Sequence, residues 1–383
     1  MELADFRSAV ERLQAKYIGV WEEICNIESP TMNKAAVDKV GEYCIRLAKE
    51  RGWAVETFEH SVSGNAVCIT MNPDATLPPV CFSGHMDTVH PIGLFGYPPV
   101  KKDAEKIYGP GVTDCKGGIV AGLLAMEALQ ACGFTKRPVK MLLQADEEIS
   151  SAPSNKQTIR YICEKAKGAI AFFNLESNMT GKVCLQRKGI LNFLFTVTGQ
   201  EAHSSMCAVR GANAIADAAH KILELEKFKD HDGLTCSCGV INGGSVPNTV
   251  AGACQFKVNV RFANDEQREY ITRYVETLAK TEHVKGCSCK LEKISERIAM
   301  ELLPRNVALF DRLNEIFAVN GVQTLENQKT NGGSDAAYIT AAGIPCIDSL
   351  GVLGGGTHSP QEFAYLSSLT ERAIQLAVAT YYL

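Results

Sequence analysis

His85, Asp114, Glu147, Glu148, Glu176 and His358 are side chains of the types that hold divalent metals, and their surroundings would let the fold gather them. His85 and Asp87 follow an apolar run in CFSGHMDTVHP, and Asp114 follows a glycine-rich turn in GPGVTDCKGG. Alternate side chains on an extended segment share a face. The Asp87 carboxylate can therefore hydrogen-bond the ring nitrogen of His85 that faces away from a metal and fix its tautomer. Gly109-Pro110-Gly111 before Asp114 and Gly117-Gly118 after it let the backbone bend sharply and bring a carboxylate in from a new direction. A tetrahedral zinc takes three protein ligands and keeps a position for water, so two metals sharing one carboxylate and one water need five protein ligands. That arithmetic leaves Glu147 unassigned. A carboxylate beside water whose pKa two metals have lowered is the group to take its proton.

The elements that must position this set can be read from periodicity. Apolar runs at 80–82, 141–143 and 170–173 stop just before His85, Asp146-Glu147-Glu148 and Glu176. Ligands of open α/β sheets gather beyond the carboxyl ends of the strands. Leu3, Phe6, Val10, Leu13, Tyr17 and Ile24 predict an amphipathic helix ending near Ser29-Pro30, and a second helix is predicted over 35–50. Strands at 54–59 and 66–71 flank the turn Ser63-Gly64-Asn65; helices at 118–131 and 156–165 alternate with strands at 139–145 and 169–175. This is the rhythm of an α/β fold with a mostly parallel sheet flanked by helices. From Lys188 it changes to strand 190–198, helix 212–227, strands 235–241 and 251–262, helix 266–280 and strand 287–294, a ferredoxin-like βαββαβ module. The α/β rhythm resumes with a helix at 307–320, a strand at 345–347 and a closing helix from Leu369. The expectation is a catalytic domain of residues 1–187 and 296–383 interrupted by an inserted domain at 188–295.

A chain of 383 residues exceeds one ordinary core, in keeping with two domains. Its 39 basic and 43 acidic residues give a net charge of −4 without a long basic run, which excludes nucleic acid as the expected partner. The sequence begins with scattered charges and has no apolar stretch of membrane-spanning length, so a soluble cytoplasmic protein is expected, with no membrane partner. Fifteen cysteines, odd in number and scattered, predict reduced thiols rather than staples. Cys236 with Cys238 and Cys287 with Cys289 could each face one way on a strand, but in a ferredoxin-like strand order 4-1-3-2 these strands are opposite edges and the pairs cannot meet within one subunit.

SGHMDTVHP, GPGVTDCKGG, the DEE of Asp146 to Glu148, LES around Glu176, GQEAHS around His203, RGANA, TNGGSDA and GGGTHSP together resemble the successive signatures of the di-zinc carboxypeptidase, aminoacylase and acetylornithine or succinyl-diaminopimelate deacetylase family, over about residues 80 to 362. The stretch GIPCIDSLGVLGGGTHSPQEF is most similar to the glutamate carboxypeptidase branch. The resemblance implies one metal on His85 and Glu176, the other on Glu148 and His358, and Asp114 bridging them. It further implies Asp87 behind His85, Glu147 as general base and a cis peptide at Asp114-Cys115. The inserted module corresponds to the family's lid, which implies a homodimer in which His203 reaches the partner's active site and hydrogen-bonds the developing oxyanion. Asn248 and Arg261 stand at substrate-contacting positions, and a guanidinium suits a free carboxylate. Gly333 and Ser334 before a helix could add an anion nest.

Some residues depart from the family's pattern. Cys115 stands where many relatives carry methionine, a thiol beside the metals that could make the site oxidation-sensitive. Asn259 replaces a frequent aspartate two residues before Arg261, and Glu176 in place of aspartate resembles the carboxypeptidase and deacylase side. Asp146 is read as structural, Lys188 as hinge or surface, and His60, His90, His220, His231 and His283 as non-catalytic. The expected activity is hydrolysis of an amide bond next to a free carboxylate in a short peptide or small molecule. N-acyl amino acid deacylation is the alternative, and a peptidase-fold binding protein without catalysis a more distant one. Two divalent cations are expected, zinc first, with cobalt or manganese compatible with the same imidazole and carboxylate ligands.

Overall fold

Strands buried on both faces need near-continuous apolar sequence, and the central strands of this chain have it. The computed structural model describes residues 2–383 and divides into two units, the first running to Leu185 and resuming over Leu302–Lys329 and Ser334–Leu383, the second comprising Gln186–Glu301 and Thr330–Gly333. In the first unit the strands are β1 (Ala54–Phe58), β2 (Ala66–Met71), β3 (Val80–His85), β4 (Val139–Gln144) and β5 (Ala171–Asn174). They pair in the order β1-β2-β4-β3-β5, with the short strand Cys346–Ile347 at the far edge. β3 is parallel to β4 and to β5, and β5 to Cys346–Ile347, whereas β2 runs antiparallel to β1 and β4. The sheet is thus mainly parallel.

Register decides where the site forms. His85 sits opposite Gln144, and Ser83 opposite both Leu142 and Asn174, so the carboxyl ends of β3, β4 and β5 lie side by side. The residues that follow those ends, Asp87, Asp146 to Glu148 and Glu176, emerge along one edge of the sheet.

Helices α1 (Leu3–Asn26), α2 (Lys34–Lys49), α3 (Lys116–Ala131) and α4 (Gln157–Lys165) pack on this sheet or on one another. α1 buries the stripe Phe6, Val10, Tyr17, Val20, Trp21 and Ile24, most of it as its spacing predicts. It also holds the turn leading to Asp114, because Trp21 Nε1 donates to the Val112 carbonyl at 3.1 Å. α3 is buried nearly all round, so its sequence is apolar rather than amphipathic, and it begins at Lys116, two residues earlier than expected. Lys116 is itself buried and donates to the Ile27 carbonyl at 2.7 Å. Four short strands, Lys101–Lys102, Lys106–Tyr108, Gly354–Gly355 and Phe363–Tyr365, form a small second sheet that no periodicity announced; at two or three residues each they have none to show. No helix among the described residues is long and apolar enough to cross a membrane.

The second unit contains β6 (Gly189–Thr198), α5 (Ala214–Leu225), β7 (Thr235–Gly243), β8 (Ala253–Phe262), α6 (Asp265–Lys280) and β9 (Ser288–Arg297). The strands pair antiparallel in the order β7-β8-β6-β9. β6 and β8 alternate buried with more exposed residues, and Phe195 stacks on Phe256 with centroids 4.6 Å apart. β7 and β9 are opposite edges, which separates Cys236 and Cys238 from Cys289 within one chain. All fifteen cysteines are free thiols.

Gly118 marks the closest approach of α3 to the chain carrying Glu176: a Cβ at that position would lie 2.0 Å from the Leu175 carbonyl oxygen. A Cβ at Gly19, in α1, would meet nothing within 4 Å. Gly118→Ala should therefore destabilise the protein by about 1–3 kcal/mol through overpacking, whereas Gly19→Ala should stabilise it by about 0.5–1 kcal/mol through helix propensity. Denaturant unfolding of the two variants measures both, and equal effects would contradict the packing described.

Candidate functional site

His85 ends β3 with its ring buried. Its Nδ1 lies 2.9 Å from the backbone carbonyl of Asp87 and 3.4 Å from that residue's carboxylate. The nearer acceptor is thus the carbonyl, not the carboxylate that strand alternation predicted. The fully buried Asp87 carboxylate instead accepts the Glu147 and Glu148 amides, each at 3.2 Å, and the Thr31 hydroxyl at 2.7 Å. It ties the loop after β3 to the turn after β4. Burial pushes its carboxyl up, but His85, Thr31 and the Glu148 amide outweigh that and hold it below the usual range.

Asp114 lies between two imidazoles. Its Oδ1 is 3.2 Å from His85 Nε2, and its Oδ2 is 3.5 Å from His358 Nε2. Glu176 Oε1 is 3.8 Å from His85 Nε2, and Glu148 Oε2 is 3.2 Å from His358 Nε2. His358 has φ 60° in a glycine-rich turn, and its side chain is 59% exposed. The Asp114–Cys115 peptide is cis, the geometry the resemblance implies.

The electrostatics describe a cluster short of positive charge. Burial pushes Glu148 up to about 8, with Asp114 and Asp87 adding to the rise against the opposing pull of His358. Burial likewise pushes Glu176 up to about 7, with Glu147 and Asp114 adding to it against the opposing pull of His85. His358 is held up at about 10, chiefly by hydrogen bonds to Asp114 and Glu148. Asp114 is pulled down by the two histidines despite its burial. His85, Asp114 and Glu148 each offer an atom within 4.8 Å of the others, as do His85, Cys115 and Glu176. Imidazole and carboxylate donors at such spacing fit divalent cations.

The Cys115 thiol is fully buried, accepts the His85 amide at 3.2 Å and is pushed up to about 12 by burial; it lies beside His85 and Glu176, as its place next to Asp114 suggested. Ser334 is 1% exposed, and its Oγ accepts from Asn174 Nδ2 at 3.1 Å and from the Ala336 amide at 3.2 Å. The helix it precedes, Ala336–Ala341, is a single short stretch. Asp146 accepts the Thr158 hydroxyl at 2.6 Å and the Ser154 amide at 3.0 Å, a structural role. Lys188 is buried, not a surface group, with its Nζ 2.6 Å from the His231 carbonyl.

The second unit brings His203 and Asn248 together. The strand Ala202–His203 pairs with Thr249–Val250, and the Ser204 amide donates to the Asn248 carbonyl at 2.9 Å. Both side chains are exposed, and His203 Nδ1 lies 2.9 Å from Ser205 Oγ. Arg261 Nε donates to Asn259 Oδ1 at 3.0 Å and its Nη1 to the Asn331 carbonyl at 3.1 Å. Asn259 is itself fixed by donating to Asn192 Oδ1 at 2.8 Å. The asparagine thus orients the guanidinium without neutralising it. Gly333 packs in this unit as well, where a Cβ would approach Arg297 Cδ to 2.8 Å.

Glu362 is what sequence reasoning missed, together with its pairing to His90, a histidine read as non-catalytic. The fully buried Glu362 carboxylate accepts the amides of Thr113 at 2.8 Å, Asp114 at 3.0 Å and Gly111 at 3.2 Å, and lies 2.7 Å from His90 Nε2. It clamps the loop that presents Asp114 to the loop that presents His358, four residues earlier in the chain. The one sequence signal was an acidic residue directly before the apolar stretch FAYL, where burial is expected.

A buried imidazole and carboxylate cluster along the carboxyl ends of a mainly parallel sheet defines a hydrolase of the metallopeptidase class. The sequence pattern of peptidase family M20/M25/M40 matches residues 81–381, and the chain belongs to that family. It is similar to carboxypeptidase G2 of Pseudomonas sp. (strain RS-16), 26% identical over 379 residues that cover 97% of this chain and 90% of the relative. It is also similar to succinyl-diaminopimelate desuccinylase of Rickettsia massiliae (strain Mtu5), 24% identical over 375 residues, 92% of this chain and 96% of the relative. Among solved structures, a tripeptidase from Staphylococcus aureus superposes with a TM-score of 0.79 at 22% identity, covering 96% of this chain and 98% of that one. This last likeness is one of fold.

Glu362→Ala should release the amides of Gly111, Thr113 and Asp114. Their hydrogen exchange should accelerate selectively, and stability should fall by on the order of 3 kcal/mol for several buried donors left unmatched. Unchanged exchange at these three amides would remove the clamp from the description.

Proposed function

We propose that the chain is a co-catalytic di-metal hydrolase that cleaves an amide bond next to a free carboxylate, as a carboxypeptidase of the glutamate carboxypeptidase type. The observation that carries this reading is Asp114, whose two carboxylate oxygens face two different histidines. In this reading His85 and Glu176 would hold one cation and Glu148 and His358 the other, with Asp114 available to both. Zinc is the first candidate, and cobalt and manganese suit the same donors. When bound, the cations polarise the scissile carbonyl and lower the pKa of water toward neutrality.

The remaining steps belong to the chain. Glu147 takes the proton of the attacking water and delivers it to the leaving amine. Asp87 fixes the backbone from which Glu147 and Glu148 project. Arg261, oriented by Asn259, pairs with the free carboxylate of the substrate. His203 donates to the carbonyl oxygen as negative charge grows on it, with Asn248 beside it. We assign the residues at 188–295 the role of a lid and of the contact in a homodimer, so that His203 serves the partner's site. Fifteen free thiols suit a reducing, cytoplasmic setting. N-acyl amino acid deacylation is the second reading, favoured by the similarity to desuccinylases.

Glu147→Gln should leave metal content unchanged and lower kcat by about 10²–10⁴-fold; full activity would end the mechanism. Mixing this variant with His203→Ala should restore part of the activity through heterodimers, and no recovery would confine His203 to its own subunit. Comparing kcat/KM on glutamate-terminated dipeptides and on N-acyl amino acids separates the two readings, with the dipeptides expected to be faster.

A further inference from the structure

The helix Leu366–Tyr382 carries a cation that the reaction does not use. Arg372 is 8% exposed, and its Nε donates to the Gly351 carbonyl at 3.0 Å and its Nη1 to Gln375 Oε1 at 2.7 Å. A guanidinium has five N–H donors, so these bonds leave most of them unused. Among the described residues no carboxylate forms an ion pair with it, and a buried cation without one is costly. Burial pushes its pKa down to about 10, with Glu371 opposing the fall only at longer range.

Arg372 lines a cavity of about 340 Å³. Arg7 of α1 lines it too and is likewise without an ion pair among the described residues. Gln323, Thr324 and Gln375 add polar groups, and the exposed Glu371 is the one carboxylate of the lining, leaving one positive charge in excess. We propose that this cavity binds a small oxyanion, a carboxylate or a phosphate-type ion, between Arg372 and Arg7. The site does not depend on the proposed catalytic reading.

The anion would act on a segment joined to the candidate centre. The Gly351 carbonyl is held by Arg372, and the Gly351 amide donates to the Glu176 carbonyl at 3.0 Å. A Cβ at Gly351 would lie 2.3 Å from the Leu175 oxygen, so this segment cannot shift without moving the chain that presents Glu176.

Calorimetric titration of the metal-loaded protein with inorganic phosphate and, separately, with glutamate, at ionic strength held constant with chloride, tests the site. At least one anion should bind saturably, and the tighter one names the source. Its affinity should fall at least tenfold in Arg7→Glu, a surface change expected to fold, and should persist in Glu176→Gln, which separates it from anions that bind at the metal centre. Arg372→Lys, which keeps the charge but loses the fork, should weaken binding as well. The Gly351 amide should exchange more slowly when the anion is present. Equal affinity in wild type and Arg7→Glu, heats that never saturate, or loss of binding only in Glu176→Gln would overturn the proposal; unchanged exchange at Gly351 would cut the cavity off from Glu176.

Discussion

Everything in the first unit's site turns on the placement of one carboxylate, Asp114, between two imidazoles that come from segments more than 270 residues apart in sequence. A carboxylate in that position has both oxygens committed, so the loop carrying it must be held from behind. The chain does this with hydrogen bonds from side chains to the backbone. Glu362 grips the amides on the approach to Asp114, Trp21 grips the Val112 carbonyl, and Asp87 grips the amides of Glu147 and Glu148. Buried acceptors satisfied by N–H groups are directional and cannot slide, which is how a loop acquires the rigidity of the sheet beside it.

The same crowding sets the charge state. Glu148, Glu176 and Asp114 share a buried volume with His85, and burial raises two of the three carboxyl groups toward neutral pH. Cations supplied to such a cluster would replace protons. The close approach of α3 at Gly118 and of Gly351 to the Leu175 and Glu176 backbone means that the strand end bearing Glu176 is fixed from two sides.

Much of this was legible in the sequence because the relevant elements are buried on both faces. β3, β4 and β5 must be apolar throughout, so the polar residues at their ends, His85, Asp146 to Glu148 and Glu176, stand out as candidates from position, whereas the division of roles among them came from the family resemblance. The βαββαβ rhythm was equally readable, since β6 and β8 alternate along one buried face. What escaped has a common cause: a buried polar group satisfied by the backbone leaves no pattern of spacing. Glu362 belongs to this class, as does the carbonyl of Asp87 that took the place expected for its carboxylate. Residue type says nothing of exposure, so the burial of Ser334 and Cys115 could not be read either, and the two- and three-residue strands of the small second sheet are too short to carry a period.

The most direct test of the central claim is the metal content of the purified protein, measured by elemental analysis after dialysis against a divalent cation and removal of excess. The account predicts two equivalents per chain in the wild type and loss of both in Asp114→Ala, since neither histidine would keep its shared partner. One equivalent or none in the wild type, or two retained in Asp114→Ala, would contradict it.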